Sequence, residues 1–408
     1  MDEKQCARSV KPIWHGIILV AGGAVGAGMF ALPLMSAGAW FTSAIVGLIV
    51  VSIVTYLAAS LLVDVNVQYP DGSSFDTLIR GVLGHRWALA NNISIAFIMY
   101  ILMYAYITAG AGILEASVLS LPIQGVVLPR AILSILFALS AALFIWLGTS
   151  MVSRVSTVLM IGMCLAFVTA NSGLLVSLDL SSLINSEVGN FVYIWSALPV
   201  FVTAFACAGL VPSLSSHYDN HARKVKLSIL FGLGVVLLVY VVWLASTLGN
   251  ISRDGFIQID ENGGGLSALV ASLSGRTDSS LIKVSLNWFS HFAVITSFLS
   301  IGLGLAHFIV DKFAFYADAT GRAKSVLLAF FPPLVASLIA PYGFVAAIAY
   351  AGVFVAFSFF VVPALMSRKQ AYVKGAVAPK SWIMVLGFGL IIIVLKLSNA
   401  AGWLPNYP

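Results

Sequence analysis

The stretch Ala21-Gly22-Gly23-Ala24-Val25-Gly26-Ala27-Gly28-Met29-Phe30-Ala31-Leu32-Pro33 lies in the middle of an apolar run that extends from Ile13 to about Phe41. It places four glycines and one proline in thirteen positions. Glycine weakens a helix through its backbone freedom, and proline removes a backbone hydrogen bond. The run is nevertheless long enough to cross a bilayer, which takes about 20 apolar residues. The sequence therefore predicts a first membrane-spanning helix that is interrupted near its middle.

The composition of the whole chain extends this prediction to a protein with many spans. Of 408 residues, 60% are hydrophobic and 9% are charged, and the mean hydropathy is +1.03. An average soluble protein carries about 25% charged residues. The apolar runs are continuous rather than alternating, which excludes a β-barrel. We therefore expect an all-α polytopic protein in a lipid bilayer, with no nucleic-acid partner despite its net charge of +6.

The apolar runs between charged or Pro- and Gly-rich connections predict eleven spans in a single membrane domain covering 1–408. They lie near 13–38, 40–63, 88–118, 130–149, 153–177, 190–215, 225–248, 281–311, 323–340, 343–366 and 381–398. With the N-terminus in the cytoplasm, 16 of the 21 Lys and Arg residues, Lys4 and Arg8 among them, fall on the cytoplasmic side. The positive-inside rule therefore predicts a cytoplasmic N-terminus and a C-terminus on the opposite side.

A second small-residue cluster, Ala206-Cys207-Ala208-Gly209 followed by Pro212, lies in the sixth span. Breaks in spans one and six indicate an inverted repeat of 13–177 and 190–366, with 381–398 as an additional helix. The amides freed at such breaks attract a carboxylate, and the freed carbonyls attract a cation or an ammonium group. A zwitterionic amino acid fits both. The alternative is that Gly22 and Gly26 form a Gly-x-x-x-Gly packing face.

The eighth span carries the candidate cation-coupling groups. Ala293, Thr296 and Ser297 share one helix face, and their oxygens suit a hard cation such as sodium. The alternative is that both hydroxyls bond back to the preceding turn. His291 is a candidate proton-sensing group because imidazole titrates near neutral pH, although a structural histidine fits the pattern equally well. His307, near the inner surface, is interpreted as structural.

Tyrosines and two long connections complete the features of interest. Tyr100 and Tyr104 lie one turn apart on span three, which suits gating or stacking on a substrate ring, or else helix packing. Tyr106 is interpreted as a packing or interfacial residue. The connection after span two carries a Ser-x-x-Asp signature at Ser73 and Asp76 that predicts a short surface helix. The connection 250–280 is a candidate lid.

Several motifs together resemble the bacterial aromatic amino acid permeases, and most of all their tryptophan permease branch. The matching stretches are Gly26-Ala27-Gly28-Met29-Phe30-x-Leu32-Pro33, Gly38-Ala39-Trp40-Phe41, Gly72-Ser73-Ser74-Phe75-Asp76-Thr77, Ile93-Ser94-Ile95-Ala96-Phe97, Tyr100-Ile101-Leu102-x-Tyr104-Ala105-Tyr106-Ile107, Val211-Pro212-Ser213-Leu214, Gly249-Asn250-Ile251 and Val362-Pro363-Ala364-Leu365. The resemblance covers nearly the whole chain. It implies the amino acid–polyamine–organocation superfamily and a leucine-transporter-type fold, with discontinuous helices 1 and 6 in a five-plus-five inverted repeat plus one extra C-terminal helix. It also implies uptake of tryptophan or tyrosine by proton symport.

The chain departs from the family pattern at groups that concern specificity and coupling. Phe205 is kept, but the histidine and asparagine that follow in relatives are replaced within Ala206 to Leu210. Met163 stands where relatives carry a lysine, which could serve as the cation between helices one, five and eight. His291 and His307 stand where relatives carry Asn and Asp. Proton coupling and sodium coupling at Ala293, Thr296 and Ser297 therefore both remain open.

The combined hypothesis is a secondary active transporter, not an enzyme, that imports an aromatic amino acid through a bacterial inner membrane, with its C-terminus in the periplasm. We expect no cofactor beyond a coupling H⁺ or Na⁺, and the oligomeric state is left open. The alternatives are a sodium-coupled symporter of another large neutral amino acid, and a non-transporting sensor of the same fold. The predicted substrate-binding residues are Gly22, Gly23, Gly26, Ala27, Gly28, Tyr104, Phe205, Ala206, Cys207, Ala208 and Gly209.

Overall fold

The computed structural model describes residues 11–119, 128–184, 188–261, 263–315, 318–405 and 407. Throughout these residues the regular secondary structure is helical. Ten helices are long and apolar enough to cross a membrane, and the bent pair Ile13–Ala24 and Ala27–Ser36 makes an eleventh span. The chain is therefore a multi-pass membrane protein, and the predicted all-α fold with eleven spans is confirmed. The charged residues Lys4 and Arg8 lie outside the described residues.

The spans are numbered in chain order, and span 1 is the bent pair. Spans 2 to 11 are, in turn, Trp40–Asn66, His85–Leu119, Arg130–Leu147, Thr149–Val176, Asn190–His217, Ala222–Leu248, Ser280–Phe313, Ala319–Ile339, Phe344–Val373 and Ser381–Ala400. Most ends agree with the predicted ones to within four residues. Span 10 continues furthest beyond its predicted end, through a π-helical turn at Phe357–Val361. Hydropathy marks where the chain leaves the lipid, whereas helical hydrogen bonding continues beyond that point.

The spans form an inner group surrounded by an outer one. Span 8 packs along spans 3 and 5, span 1 packs along span 7, and span 10 packs along spans 3 and 6. Among spans 2 to 11, spans 6 and 10 are the most buried, and spans 4, 5 and 11 are the least buried. Spans 1, 3, 6, 8 and 10 therefore meet at the centre, where the two breaks lie. The division into repeats at 13–177 and 190–366, with 381–398 as an additional helix, remains a prediction.

A short helix, Phe75–Val82, begins one residue later than the Ser-x-x-Asp signature indicated. Its cap is Ser74, whose hydroxyl accepts the N–H of Thr77 at 3.2 Å. The Ser73 hydroxyl instead donates to the carbonyl of Pro70 at 2.7 Å. The predicted helix is thus present, but its capping residue is Ser74 because Ser73 is held in the preceding turn.

Asp76 fixes this short helix to span 3. It forms an ion pair with Arg80 at 3.1 Å and accepts a hydrogen bond from Asn92. Burial by itself raises the pKa of Asp76, but the bonds from Asn92 and Arg80 and the nearby positive charges outweigh it. The net pKa therefore lies below its ordinary value of 3.8.

The connection 250–280 contains two helices, Arg253–Glu261 and Leu266–Gly275. The second of them packs against spans 3 and 8. Arg253 donates to the carbonyl of Gly38 at 2.6 Å, and its guanidinium lies 5.3 Å from the centre of the Trp40 ring. These contacts tie the connection to the turn between spans 1 and 2. A role for it as a lid remains a prediction.

Candidate functional site

Span 1 is interrupted where the glycines predicted it. Its first helix ends at Ala24, and Gly26 is extended, with φ −170° and ψ −159°. A 3₁₀ turn, Ala27–Phe30, then leads into the helix Ala31–Ser36, and the two halves differ in direction by 53°. Pro33 does not cause the break, because it stands in the first turn of the second helix, where a missing N–H removes no helical hydrogen bond.

Span 6 has the second predicted break. Its first helix is Ile194–Ala204, and the chain resumes helical structure with a 3₁₀ turn at Ala208–Leu210 and the helix Val211–His217. Between them, the N–H of Cys207 donates to the carbonyl of Phe205 at 2.7 Å, which forms a tight turn. Both spans are therefore discontinuous helices, as the sequence predicted.

A cavity of about 180 Å³ lies between the two breaks. Spans 1, 3, 5, 6, 8 and 10 all contribute to its wall. The residues that line it are Gly22, Gly23, Ala24, Val25, Gly26, Gly28, Leu102, Tyr106, Met160, Thr203, Ala204, Ala206, Thr296, Ser297, Ser300, Ile301 and Ile348. Gly28 borders open space, because a Cβ added there would meet no atom within 4 Å. The cavity thus brings together seven of the residues predicted to bind the substrate or cation: Gly22, Gly23, Gly26, Gly28, Ala206, Thr296 and Ser297.

Other predicted residues lie behind this wall. Ala27, Phe205, Cys207 and Ala208 are buried in the protein and are absent from the cavity lining. Gly209 also lies off the cavity, next to the ring of Phe359. At a break, some residues face the cavity and the next ones point away from it. A contiguous stretch of sequence therefore includes lining residues as well as residues behind the wall.

The two hydroxyls of span 8 differ in their hydrogen bonds. Thr296 donates back to the carbonyls of Phe292 and Ala293, at 2.7 and 3.2 Å. Ser297 accepts the N–H of Ala27 across the break, at 2.9 Å. Both hydroxyls line the cavity, and hydroxyl oxygens are suitable ligands for a hard cation. Ala293 is buried behind them and is absent from the lining.

The tyrosines of span 3 exchange the roles expected for them. Tyr100 donates to the carbonyl of Leu328 at 3.0 Å, and Tyr104 donates to the carbonyl of Ala340 at 2.7 Å. Their shared face therefore packs on span 9 and the residue that follows it. Tyr104 is absent from the cavity lining, whereas Tyr106, interpreted as a packing residue, belongs to it. Residues two positions apart in a helix point in directions about 200° apart around its axis. Only one of the Tyr104 and Tyr106 side chains can therefore face the cavity.

His291 lies away from the breaks. Its Nδ1 is 2.7 Å from the carbonyl of Asn287, and its Nε2 is 3.2 Å from the hydroxyl of Ser117. It lines two other cavities, of about 500 and 410 Å³, between spans 3, 4 and 8 and the helix Leu266–Gly275. Among the described residues, no cluster of three or more His, Cys, Asp or Glu side chains could hold a metal.

Tyr240 of span 7 is a residue of this site that sequence reasoning missed. Its hydroxyl lies 2.8 Å from the carbonyl of Ala24 and 2.8 Å from the carbonyl of Ala204. These are the last residues of the two interrupted helices. Nothing in the apolar run of span 7 distinguishes this tyrosine, because the contact depends on two spans that are distant in sequence.

Three aromatic rings pack together on the side of the breaks where span 1 continues. The Phe30 ring lies 5.3 Å from that of Trp243 and 5.0 Å from that of Phe289, between centroids. The rings of Trp243 and Phe289 are 5.5 Å apart, and all three side chains are fully buried. We call Phe30, Trp243 and Phe289 the aromatic cluster.

Comparison with known proteins connects this architecture to a family. The tryptophan/tyrosine permease family model matches residues 9–401. A tryptophan-specific transport protein from Haemophilus influenzae is 38% identical, over 96% of this chain and 97% of its own length. A tyrosine permease from Enterobacter agglomerans is 35% identical over 94% and 95%, and a low affinity tryptophan permease from Escherichia coli is 33% identical over 99% of both chains.

Among solved structures, a mutant manganese transporter from Eremococcus coleocola matches with a TM-score of 0.61. The alignment covers 99% of this chain and 91% of that chain, at 14% sequence identity. At this identity the likeness concerns the fold alone, and that fold is the leucine-transporter type.

Proposed function

Because this chain belongs to the tryptophan/tyrosine permease family, we propose that it imports an aromatic amino acid, tryptophan or tyrosine, across a bacterial inner membrane by cation symport. It is a transporter and not an enzyme, since the family and its named members are permeases. The observation that carries the proposal is the cavity between the two helix breaks.

The wall of this cavity suits a zwitterion. Among the described residues that line it there is no Asp, Glu, Lys or Arg, so recognition of both charges falls to the backbone. The first helix of each broken span ends at the cavity, at Ala24 and Ala204, and the carbonyl end of a helix favours a cation. The chain that follows the first break has its backbone exposed to open space at Gly28, where amides can bind a carboxylate.

The remaining wall suits an aromatic side chain. Leu102, Tyr106, Met160, Ile301 and Ile348 provide apolar and aromatic surface around the polar backbone. The cavity volume of about 180 Å³ is smaller than the roughly 300–1,000 Å³ typical of ligand pockets. Binding of a whole aromatic amino acid therefore requires the cavity to widen, which the conformational changes of alternating access can provide.

The charge distribution supports an N-terminus in the cytoplasm and a C-terminus in the periplasm. In that orientation the aromatic cluster lies on the periplasmic side of the cavity. The fully buried rings of Phe30, Trp243 and Phe289 then form the closed outer gate of this conformation. Ser300 and Ile301, further along span 8, extend the cavity wall towards the cytoplasm.

Sodium is the coupling ion that the cavity chemistry favours. Thr296 and Ser297 present hydroxyl oxygens beside the first break, and hydroxyl and carbonyl oxygens suit a hard cation. For proton coupling, the cavity lacks an imidazole or a carboxylate among its described lining residues, and Met163 carries no charge. A proton-coupled mechanism would instead need a more distant group such as His291.

Uptake into proteoliposomes tests the proposal directly. Labelled tryptophan and tyrosine should accumulate when an inward sodium or proton gradient is imposed, and the two gradients are applied separately. Equal uptake with neither gradient would contradict symport. Counterflow into vesicles preloaded with unlabelled substrate distinguishes a carrier from a sensor, because only a carrier exchanges. Stabilisation by small polar amino acids alone would contradict the aromatic substrate.

A further inference from the structure

The ends of the two interrupted helices share a single hydrogen-bond donor. Ala24 and Ala204 are the last residues of their helices, where carbonyls have no helical N–H partner. The hydroxyl of Tyr240 lies 2.8 Å from each of these two oxygens. A hydroxyl has one proton to donate, so the two carbonyls share it as acceptors.

The position of that hydroxyl is fixed by the packing of its ring. Tyr240 is fully buried, and its ring meets the fully buried ring of Phe205 edge to face, with 5.1 Å between centroids. Phe205 itself caps the first helix of span 6, and its N–H donates to the carbonyl of Phe201. The tyrosine is therefore held against the break by residues of the break itself. It is absent from the cavity lining, so it does not touch a ligand there.

Both carbonyl-bearing residues, in contrast, line the cavity. Each carbonyl oxygen has two lone pairs, and one shared proton leaves at least two of the four lone pairs unused by Tyr240. A helix C-terminus carries partial negative charge, which one shared proton does not cancel. The cavity has no Asp or Glu among its described lining residues to bind a cation instead.

We infer that Tyr240 is a positioning residue for the substrate: its hydroxyl holds the carbonyls of Ala24 and Ala204 in place and leaves them free to bind the α-ammonium group. This inference rests on the proposed amino acid substrate. It assigns to span 7 a part in recognition that the cavity lining does not reveal. Since one hydroxyl contacts both breaks, the two half-helix ends are also constrained to keep a common geometry.

The test compares two ligands that differ only in the ammonium group. L-Tryptophan carries it, and indole-3-propionate lacks it. Binding of both is measured to the wild type and to Tyr240→Phe, which keeps the ring and its contact with Phe205. Without the Tyr240 hydroxyl the carbonyls lose their positions, so the affinity for L-tryptophan should fall by about tenfold, the effect of losing a hydrogen bond to a charged group. The affinity for indole-3-propionate should change by less than about twofold.

Tyr218→Phe is the matched control. Tyr218 is also buried, and its hydroxyl accepts the N–H of Gly16 at 3.0 Å and lies 3.1 Å from the carbonyl of Ile13, at the far end of span 1. Removal of the Tyr218 hydroxyl should change the affinities for both ligands by the same factor. The inference is overturned if Tyr240→Phe lowers the affinities for both ligands equally, or lowers neither.

A structure of the wild-type protein with bound L-tryptophan provides a test that needs no variant. The substrate nitrogen should lie within hydrogen-bonding distance of the Ala24 or Ala204 carbonyl while Tyr240 still contacts one of them. An ammonium group bound elsewhere would contradict the inference. Wild-type protein that binds neither L-tryptophan nor L-tyrosine would overturn the proposed function itself, which is a different result from equal losses in the variant.

Discussion

The Ser297 hydroxyl oxygen accepts the N–H of Ala27 at 2.9 Å, and this hydrogen bond joins span 8 to the first residue of the 3₁₀ turn in span 1. Ala27 is fully buried, so its amide has no access to bulk water. The break in span 1 therefore has a dedicated side-chain acceptor on a neighbouring span. Its geometry depends on span 8 as well as on its own glycines.

Ser297→Ala should destabilise the protein by about 1–3 kcal/mol, because the buried Ala27 amide loses its acceptor. The measurement is thermal unfolding in detergent, monitored by intrinsic fluorescence. Ser300→Ala is the control, since Ser300 also lines the cavity but has no hydrogen bond to the break among the residues that the structure describes. Equal effects of the two substitutions would show that the Ala27 bond contributes little.

Gly26→Ala should impair folding or substrate binding, because the added Cβ would collide with the hydroxyl oxygen of Ser297. Gly28→Ala should fold normally, since a Cβ there meets no atom within 4 Å, but it should weaken substrate binding by filling the cavity. The double variant Gly26→Ala with Ser297→Ala should recover part of the loss. The measurements are the unfolding temperatures and binding affinities of these variants and of Ser297→Ala. A loss in the double variant equal to the sum of the Gly26→Ala and Ser297→Ala losses would contradict the predicted collision.

Thr296→Val should raise the sodium concentration needed for half-maximal uptake by about tenfold, the equivalent of about 1.4 kcal/mol of cation binding. Valine preserves the shape of the side chain but removes the oxygen that faces the cavity. The measurement is tryptophan uptake into proteoliposomes at varied external sodium. An unchanged sodium response would argue against Thr296 as a ligand and would favour a coupling site elsewhere.

His291→Gln should leave the pH dependence of uptake unchanged within about twofold, because the imidazole lies away from both breaks. Glutamine can preserve a hydrogen bond to Ser117 or to the Asn287 carbonyl. Initial uptake rates measured between pH 5 and pH 8 test this expectation. If the variant lost its response to pH, the distant histidine would be the proton-coupling group.

Asp76→Asn should make the stability of the protein, to which the short helix Phe75–Val82 contributes, less sensitive to acid. The folded pKa of Asp76 lies below its ordinary value of 3.8, so its carboxylate stabilises the fold above that value. This contribution disappears as the pH falls through the lower, folded pKa. The unfolding temperatures of wild type and variant should therefore differ at pH 7 and converge as the pH falls below 3.8. A constant difference would indicate that the effect is not electrostatic.

The spans and both breaks were predictable because they depend on local composition. Hydropathy placed the eleven spans, and the glycines around Gly26 marked the first interruption. The part played by Pro33 was not predictable from its presence alone, because a proline breaks a helix only when it stands beyond the first turn. Its place in the first turn follows from where the helix Ala31–Ser36 begins.

The side chains of the site were predictable only in part. The face shared by Tyr100 and Tyr104 followed from helical spacing, but the identity of the neighbour it packs on did not. Hence Tyr106 was missed as a lining residue. Tyr240 was missed for the same reason, because its two acceptors lie 216 and 36 positions away along the chain. Periodicity describes one helix at a time, whereas a site between helices depends on their relative rotation.

The aromatic cluster has a thermodynamic consequence for the transport cycle. Each of its rings buries roughly 150–250 Å² of surface, and separating them during outward opening would hydrate much of that area. Hydration of apolar surface raises the heat capacity, so the equilibrium between closed and open conformations should follow a curved rather than a straight van 't Hoff plot. The indole N–H of Trp243, which has no partner among the described residues, would gain one from water as the cluster opens. Opening is therefore opposed by the rings and assisted by one polar atom among them, and the balance between the two shifts with temperature.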